Sequence, residues 1–324
     1  MPDTSLVALA RGVMDRDRAA VAAALNLVED RRASARGEVV RLLAALRKAG
    51  ALEGGHRVGV TGPPGVGKST LVAALMRELR RGGETVGVLA VDPSSVRSGG
   101  ALLGDRTRIA PDPDDTGVFV RSLATAGELG GLAPSVPLGV LVLSAAFGVV
   151  VVETVGVGQS EIDVRQVVDT LVFVAQPGSG DALQYMKAGV MEVPDVLVVN
   201  KMDQDLAQRT VAELRGALSS LRAAGIAGRE IPLVAVSARD GTGVGALAAA
   251  LASHLAELAS TGALAAGRRD GAVAWAMRAF VRRHGELGLA RVGGEHALRG
   301  KVAQGIRAGK EVIEIIDGLL APSS

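Results

Sequence analysis

Seven short runs rich in valine follow one another between residues 57 and 236, and longer amphipathic segments separate them. The runs lie at 57–60, 85–91, 117–120, 149–153, 170–175, 195–200 and 231–236. Several are apolar at every position, which is typical of parallel strands covered by helices on both faces. The intervening spacing predicts helices over 69–81, 136–146, 182–191, 205–224 and 244–260. The pattern therefore predicts an α/β fold with a doubly wound, mostly parallel sheet.

The segments that flank this region have helical patterning. Residues 5–50 carry apolar residues at three- and four-residue spacing, and a glycine pair at 54–55 ends them. The tail from about residue 268 is amphipathic, and we expect a helical tail of this size to pack on a partner or on the α/β domain rather than to fold alone. We expect three units: an N-terminal helical extension, the α/β domain, and a C-terminal helical segment that is a candidate for dimerisation. Their predicted boundaries are 1–55, 56–262 and 263–324.

The composition excludes several classes of function. The chain has no cysteine, which rules out disulfides, thiolate zinc sites, iron–sulfur clusters and a cysteine nucleophile. The four histidines have no ligand spacing, so we expect no histidine-based metal site. Four Phe, one Trp and one Tyr are too few for base-stacking platforms, and a net charge of +2 implies no large basic patch. We therefore expect no nucleic-acid partner.

One uncharged stretch, Leu129–Val152, is long enough to span a bilayer. It carries Pro134 and Pro137 near its start, and Gly139 and Gly148 inside it. We interpret it as a buried helix followed by a buried parallel strand. The N-terminus has an early acidic residue and no sustained apolar core, unlike a signal peptide. We expect a cytoplasmic protein with no membrane partner.

The strongest motif is GPPGVGKST at 62–70, between a predicted strand and a predicted helix. Its glycines let successive backbone N–H groups cradle phosphates at a helix N-terminus. Lys68 can reach the β- and γ-phosphate oxygens, and the Ser69 hydroxyl can ligate Mg²⁺. The motif therefore predicts a P-loop. Its expected nucleotide-binding residues are Gly62, Pro63, Pro64, Gly65, Val66, Gly67, Lys68, Ser69 and Thr70.

A second motif indicates which base is bound. Asn200, Lys201 and Asp203 belong to the sequence NKMD, which follows the apolar run at 195–200. An aspartate there can accept from the ring N–H and the exocyclic amine of guanine, a donor pair that adenine lacks. The wrong base would leave the carboxylate unpaired. Ser237 and Ala238 follow the next strand as the matching base-contacting loop, so the sequence predicts GTP and GDP rather than ATP.

A third motif, ETVG at 153–156, ends the run VVVVE. Glu153 can reach Mg²⁺ through a water, and Gly156 lets its N–H approach the γ-phosphate. We expect Lys68, Glu153 and Gly156 to act in catalysis. Val157 stands where many GTPases carry a water-positioning glutamine. Intrinsic hydrolysis should therefore be slow unless Gln159, another residue or a partner orients the water.

The polar, glycine-rich loop at 92–108 supplies two further acids. Asp92 ends a predicted strand and Asp105 lies within the loop, so both could serve the metal and its waters. The alternative is that they are turn-forming aspartates. The candidate magnesium ligands are Ser69, Asp92, Asp105 and Glu153.

Together these motifs resemble those of the SIMIBI class of P-loop GTPases, and within it the MeaB/ArgK-type methylmalonyl-CoA mutase-associated GTPases. The resemblance covers 56–260 densely, the N-terminal helices loosely, and the C-terminal tail only in being helical. The motifs that carry it are GPPGVGKST (62–70), VDPSSVRSGGALLGDRTR (91–108), ETVGVGQSE (153–161), QPGSGDALQYMKAGVMEVPD (176–195) and NKMD (200–203).

The resemblance implies a homodimeric, GTP-hydrolysing, metallochaperone-like regulator. Members of the family use GTP to gate cobalamin delivery to an adenosylcobalamin-dependent acyl-CoA mutase and to protect that mutase. The resemblance also implies that the four residues named above serve magnesium. It further implies a mobile element around Gln176–Gly189, which includes Lys187 and signals the nucleotide state to the partner.

Some residues depart from the family pattern. Ala126 and Pro134 stand where the family commonly has arginine, Ser144 replaces an expected acid, and the segment before VVVVE is about one residue short. These departures bear on partner contacts and on the rate of hydrolysis more than on nucleotide binding.

Other functions stay open beside this one. A P-loop kinase of a transport protein would need an acceptor site and base, for which the sequence offers no recognisable pocket. A GTP-dependent assembly module with little catalysis fits the missing glutamine and arginines. Metal insertion, as in nickel-enzyme maturation, is disfavoured because the chain has no cysteine and no histidine cluster.

Overall fold

The computed structural model describes residues 4–92, 114–124, 133, 135–154, 163–178, 194–223, 225 and 230–320. The strands in this part of the chain are β1 His56–Thr61, β2 Val86–Asp92, β3 Val118–Ala124, β4 Val149–Glu153, β5 Thr170–Ala175, β6 Val196–Val199 and β7 Leu233–Ala235. All seven predicted strands are present, and β3 extends four residues further than its apolar run.

The helices alternate with these strands and flank them at both ends of the chain. They are α1 Thr4–Met14, α2 Arg18–Glu29, α3 Ala33–Lys48, α4 Lys68–Arg81, α5 Ser135–Ser144, α6 Ala207–Ala223, α7 Val244–Ser260, α8 Ala263–Arg291, α9 Gly294–Arg307 and α10 Val312–Gly318. Gly285 breaks the helical geometry inside α8. Four of the five predicted interior helices correspond to α4, α5, α6 and α7. The fifth, over 182–191, lies outside the described residues.

The strands form one sheet in the order β3-β2-β4-β1-β5-β6-β7, and every neighbouring pair is parallel. Strands β1, β4, β5 and β6 are buried along their whole length. Two-sided burial explains their continuous apolar runs, because no face of these strands meets water. The doubly wound α/β prediction is confirmed.

The core lies on both faces of this sheet. Helices α4 and α7 pack their apolar residues against one face. The N-terminal helices, α5 and the C-terminal helices pack together over the other face, where Leu42, Trp275 and Phe280 share one cluster. Arg268 of α8 adds an ion pair to Asp169, just before β5. The C-terminal helices are thus packed against the same core as the sheet, and the predicted three-part division of the chain stays a prediction.

The described residues of the uncharged stretch at 129–152 form a buried helix followed by a buried parallel strand, as predicted. Helix α5 is buried at Val136, Leu138 and Val140, and β4 is buried throughout. No single helix among the described residues is both long and apolar enough to cross a membrane. Helices α7 and α8 reach that threshold only as a pair, and they meet at 90°.

Candidate functional site

The loop after β1 has a backbone that only glycine suits at two positions. Gly62 has φ 143°, and a Cβ there would lie 2.2 Å from the Val174 carbonyl oxygen. Gly67 has φ 90°, and a Cβ there would lie 2.7 Å from Asn200 Nδ2. A side chain at either position would therefore be strained as well as crowded. The loop is held tightly against β5 on one side and the loop after β6 on the other.

Helix α4 begins directly after this loop. Gly67 is its N-cap residue. Because glycine has no side chain, this residue cannot cap the first-turn N–H groups in place of a ligand. Those N–H groups and the helix dipole favour an anion at this end. Val66 is buried and anchors the loop, whereas Pro64, Gly65 and Thr70 are exposed. The predicted phosphate-binding motif thus forms an open cradle at a helix N-terminus.

Lys68 lies across the cradle. Its Nζ donates to the Gly62 carbonyl oxygen at 2.8 Å and to that of Pro63 at 3.1 Å, and the residue is 7% exposed. A buried ammonium held by backbone carbonyls is a fixed positive charge beside the N-terminus of α4. This arrangement can stabilise a phosphate, because cation and helix end attract the same anion.

Ser69 and Glu153 meet although their motifs are far apart in sequence. Strands β1 and β4 pair so that Val60 lies opposite Glu153, which brings the end of β4 to the P-loop. Ser69 Oγ donates to Glu153 Oε1 at 2.6 Å, and Glu153 is 6% exposed. A hydroxyl and a carboxylate are oxygen ligands of the kind that Mg²⁺ prefers. Two of the four candidate magnesium ligands are therefore in contact.

The other predicted residues of this region are not described. The side chain of Asp92, at the end of β2, lies outside the described residues. The same holds for Asp105, Gly156, Val157, Gln159, Ala126, Pro134 and Lys187.

Asn200 connects the cradle to the predicted base-binding loop. Its Nδ2 donates to the Val66 carbonyl oxygen at 2.9 Å, and its Oδ1 accepts from Ala238 N at 3.1 Å. The residue is 2% exposed, so these bonds are shielded from water. Lys201 has φ 62°, and its Nζ donates to the Gly65 carbonyl oxygen and to Gln176 Oε1, both at 2.8 Å. The phosphate end and the base end of the site thus form one hydrogen-bonded unit.

Asp203 is exposed at the outer end of this loop. Ser237 Oγ lies 3.3 Å from Asp203 Oδ1 and 2.9 Å from Asp240 Oδ2, so its one hydroxyl proton can serve either carboxylate. Hydrogen bonds from Thr242 and Ser237 lower the pKa of Asp240. Asp203 therefore lies next to the Ser237 loop and is accessible from solvent.

Two partners in this unit were not among the predicted site residues. Thr154 Oγ1 donates to Thr61 Oγ1 at 3.1 Å, which joins the ends of β4 and β1. Gln176 follows β5 and accepts from Lys201. Both follow predicted strands. Thr154 lies within ETVG and Gln176 begins QPGSGDALQYMKAGVMEVPD, so the motifs contain both residues without assigning these contacts to them.

The histidines are also brought together by the fold. His56 Nε2 and His254 Nδ1 lie 2.7 and 2.8 Å from Thr170 Oγ1, at the amino-terminal edge of the sheet. Burial lowers the pKa of His56 to about 4. No group of three or more His, Asp or Glu side chains among the described residues could hold a metal ion. These histidines are part of the buried framework, opposite the P-loop.

Known proteins are similar to this chain in sequence, and a solved structure is similar to it in fold. A Pyrococcus horikoshii protein provisionally named a GTPase is 44% identical over 255 residues, which is 78% of each chain. The mouse protein named methylmalonic aciduria type A homolog, mitochondrial, is 36% identical over 276 residues, 82% of this chain and 66% of that one. A crystal structure described as LAO/AO transport system kinase matches with a TM-score of 0.66 and 26% identity, covering 95% of this chain and 99% of that one.

A family model covers most of the chain. It is the model for methylmalonyl-CoA mutase-associated GTPase MeaB, and it matches residues 21–285. The matched range contains the P-loop, the end of β4, NKMD and the Ser237 loop. With the fold and the relatives above, it confirms the resemblance and the assignment as a GTPase: the chain belongs to the MeaB family of methylmalonyl-CoA mutase-associated GTPases.

Proposed function

We propose that this protein binds GTP with Mg²⁺ at the carboxyl edge of its sheet and uses GTP hydrolysis to regulate an adenosylcobalamin-dependent acyl-CoA mutase. The observation that carries the nucleotide site is Asn200, whose amide joins Val66 of the P-loop to Ala238 of the base loop. One buried side chain thereby sets the distance between the phosphate end and the base end. Such preorganisation favours a ligand that occupies both ends.

The residues at the phosphate end fit a nucleotide with its metal. The glycine cradle and the N-terminus of α4 would bind the phosphates, and Lys68 would face the β- and γ-phosphates. Ser69 would ligate Mg²⁺ directly and Glu153 through a water, with Asp92 and Asp105 serving its remaining waters. Bound Mg²⁺ supplies charge neutralisation on the phosphate oxygens.

The residues at the base end fit guanine. Asp203 presents an exposed carboxylate that can accept from the two donors of the guanine edge, and the Ser237 hydroxyl lies beside it. Lys201 holds the loop to Gly65 and so keeps Asp203 in register with the phosphates. A two-acceptor device of this kind discriminates strongly, because adenine would leave the carboxylate unpaired.

The regulatory role depends on a partner. Lys68, Glu153 and the Gly156 N–H would stabilise the charge on the γ-phosphate, but Val157 provides no group to orient water. The isolated protein should turn over below typical enzyme rates of about 1 per second. We propose a methylmalonyl-CoA mutase-type enzyme as the partner, since the family model is named for association with that mutase and the mouse relative is named for methylmalonic aciduria.

The proposal also includes gating of cofactor delivery, protection of the mutase and dimerisation. The GTP state would gate cobalamin delivery to the mutase and protect it. The protein would act as a cytoplasmic homodimer, and the C-terminal helices would contribute the dimer contact. A partner that bound the GTP and GDP forms equally could not be gated, however tightly it bound.

A second candidate is phosphoryl transfer to a transport protein. The similarity to the structure described as LAO/AO transport system kinase, over 95% of this chain, favours it. A third candidate is a GTP-dependent assembly module with little catalysis.

Following the fate of labelled γ-phosphate separates these candidates. Release to water, accelerated by the mutase, supports the regulatory GTPase. Transfer to protein supports the kinase. If the labelled phosphate is neither released to water nor transferred to protein, the result supports the assembly module. Lys68→Ala serves as the control, because background hydrolysis should persist in it while site-dependent turnover disappears. Unchanged turnover, with equal mutase affinity for the GDP form and for a non-hydrolysable GTP form, would overturn the regulatory proposal for that mutase.

A further inference from the structure

A cavity of about 340 Å³ lies at the amino-terminal edge of the sheet. Helices α3, α5 and α8, the first residues of β1 and the connection from α9 to α10 enclose it. Arg57 at the start of β1 lines it, whereas the P-loop follows the end of the same strand. The cavity is therefore separated from the proposed nucleotide site by the length of β1. Its volume falls in the range of small-molecule sites.

The ionisable groups that line this cavity carry an excess of positive charge. Five are cationic and three are anionic. They are Arg47, Arg57, Arg268, Arg269 and Lys310, and Glu53, Asp169 and Glu311. Two ion pairs, Arg47–Glu311 at 2.6 Å and Arg268–Asp169 at 2.7 Å, neutralise four of these groups. Three cations then face one carboxylate, that of Glu53.

Arg57 is the buried one of these three cations. It is 8% exposed, and its guanidinium donates from Nε to Ser144 Oγ at 3.1 Å and from Nη2 to the Leu52 carbonyl oxygen at 2.7 Å. Both acceptors are neutral, and among the described residues no carboxylate lies within ion-pair distance of this guanidinium. Burial lowers the pKa of Arg57 to about 10. The carboxylates of Asp169 and Glu53 attract this guanidinium without forming an ion pair with it, so its hydrogen bonds go only to neutral groups. A buried cation without a direct ion pair gains from an added anion.

The rim and the remaining walls complete the chemistry of the cavity. Lys310 and Arg269 are exposed and form no ion pair within the described part of the chain. Apolar side chains supply most of the rest, among them Leu138, Val167 and Ile313. A ligand that fits both the cationic groups and the apolar walls of the cavity has an anionic group and an apolar body.

We propose that this cavity binds a small amphipathic carboxylate, with the carboxylate facing Arg57 and Lys310 and the apolar body against the wall of α5. Guanidinium and carboxylate are matched in charge and hydrogen-bonding geometry. An inorganic anion alone would leave the apolar walls unfilled. The inference goes beyond the proposed function, because none of these residues belongs to the nucleotide site.

The full chain carries its own reporter for a test. Trp275 is its single tryptophan, it lines the cavity, and it is 9% exposed. Titration with octanoate should change Trp275 fluorescence saturably and release or take up heat. Octanamide has the same apolar body without the charge and should bind about tenfold more weakly or not at all. Inorganic phosphate should compete poorly with octanoate.

Two variants locate the ligand. Lys310→Glu reverses an exposed rim charge and should weaken octanoate at least about tenfold, while Arg307→Glu, exposed on α9 outside the cavity lining, should not. Ser144→Asp places a carboxylate beside Arg57 and should also displace octanoate. Melting temperatures establish that each variant is folded.

Several outcomes would overturn the proposal. They are the absence of saturable octanoate binding, equal binding of octanamide, phosphate binding as tight as octanoate, or equal effects of Lys310→Glu and Arg307→Glu. GTP affinity is measured on the same samples and should be unchanged by Lys310→Glu. Failure of octanoate binding with normal GTP binding would therefore reject this inference and leave the proposed function intact.

Discussion

The Ser69 hydroxyl donates a 2.6 Å hydrogen bond to Glu153 Oε1 across 84 positions of sequence. The contact joins the first turn of α4 to the end of β4, which are adjacent because β4 pairs with β1. Each residue comes from a different motif, and each was expected to serve the same magnesium ion. Their contact makes the metal site testable by changing one side chain.

The first prediction concerns Glu153. Glu153→Gln keeps the shape of the side chain and removes its charge, so GDP binding should persist while Mg²⁺-dependent GTP turnover falls at least about tenfold. Single-turnover hydrolysis across a magnesium titration is the measurement. Glu84→Gln, at an exposed position shortly before β2, is the control. Wild-type turnover in Glu153→Gln would move the essential acid to Asp92 or Asp105.

The second prediction concerns base choice at Asp203. Asp203→Asn replaces an acceptor with a donor, so the variant should lose its preference for guanine by about 100-fold and gain affinity for xanthine nucleotides. Competition titrations with GTP, XTP and ATP measure both changes. Asp205→Asn alters another exposed acid two residues away and should leave the preference intact. Binding of ATP as tightly as GTP by the wild type would contradict the base-site assignment.

The third prediction concerns Arg268, which clamps α8 to the sheet. Its guanidinium forms two bonds with Asp169 and donates to the carbonyl oxygens of Glu53 and Gly55, both at 2.6 Å. Removing one partner of a buried ion pair leaves an uncompensated charge, so Arg268→Ala should lower the free energy of unfolding by about 3–5 kcal/mol. Urea denaturation measures it. Arg269→Ala changes the exposed neighbouring residue and should lower the free energy of unfolding only slightly. Equal losses in the two variants would contradict a stabilising role for the Arg268–Asp169 ion pair.

The fourth prediction concerns pH. Burial lowers the pKa of His56 from 6.5 to about 4, and nearby His254 and Arg268 also lower it, against the opposing effect of Asp169 and Asp195. The unfolded state then binds more protons than the folded state between these values. The free energy of unfolding should therefore fall by about 3 kcal/mol as pH drops from 6.5 to 4.

Denaturant melts at a series of pH values measure this dependence. His56→Gln should flatten the profile in that window, and His296→Gln, at an exposed site, should retain it. A wild-type profile that is flat from pH 6.5 to 4 would contradict the burial of a neutral His56.

Local pattern was sufficient for most elements of the fold. The continuous apolar run at 170–175 predicts β5 with the same bounds, because two-sided burial leaves its mark on every residue. GPPGVGKST predicts a P-loop because the glycines and Lys68 act within nine successive residues. Strand ends depend on more than local pattern: β3 extends to Ala124, because its pairing with β2 continues beyond the apolar run.

The sequence by itself thus determined the strands, the helices between them and the motifs that surround a nucleotide. Only the tertiary structure decided which distant side chains meet. The strand order places Ser69 on Glu153, Asn200 between Val66 and Ala238, and Arg57 in a cavity closed by α8. The physical reason is range: hydrophobic periodicity and turn chemistry act over a few residues, whereas these contacts depend on how the sheet orders its strands and on what packs at each edge.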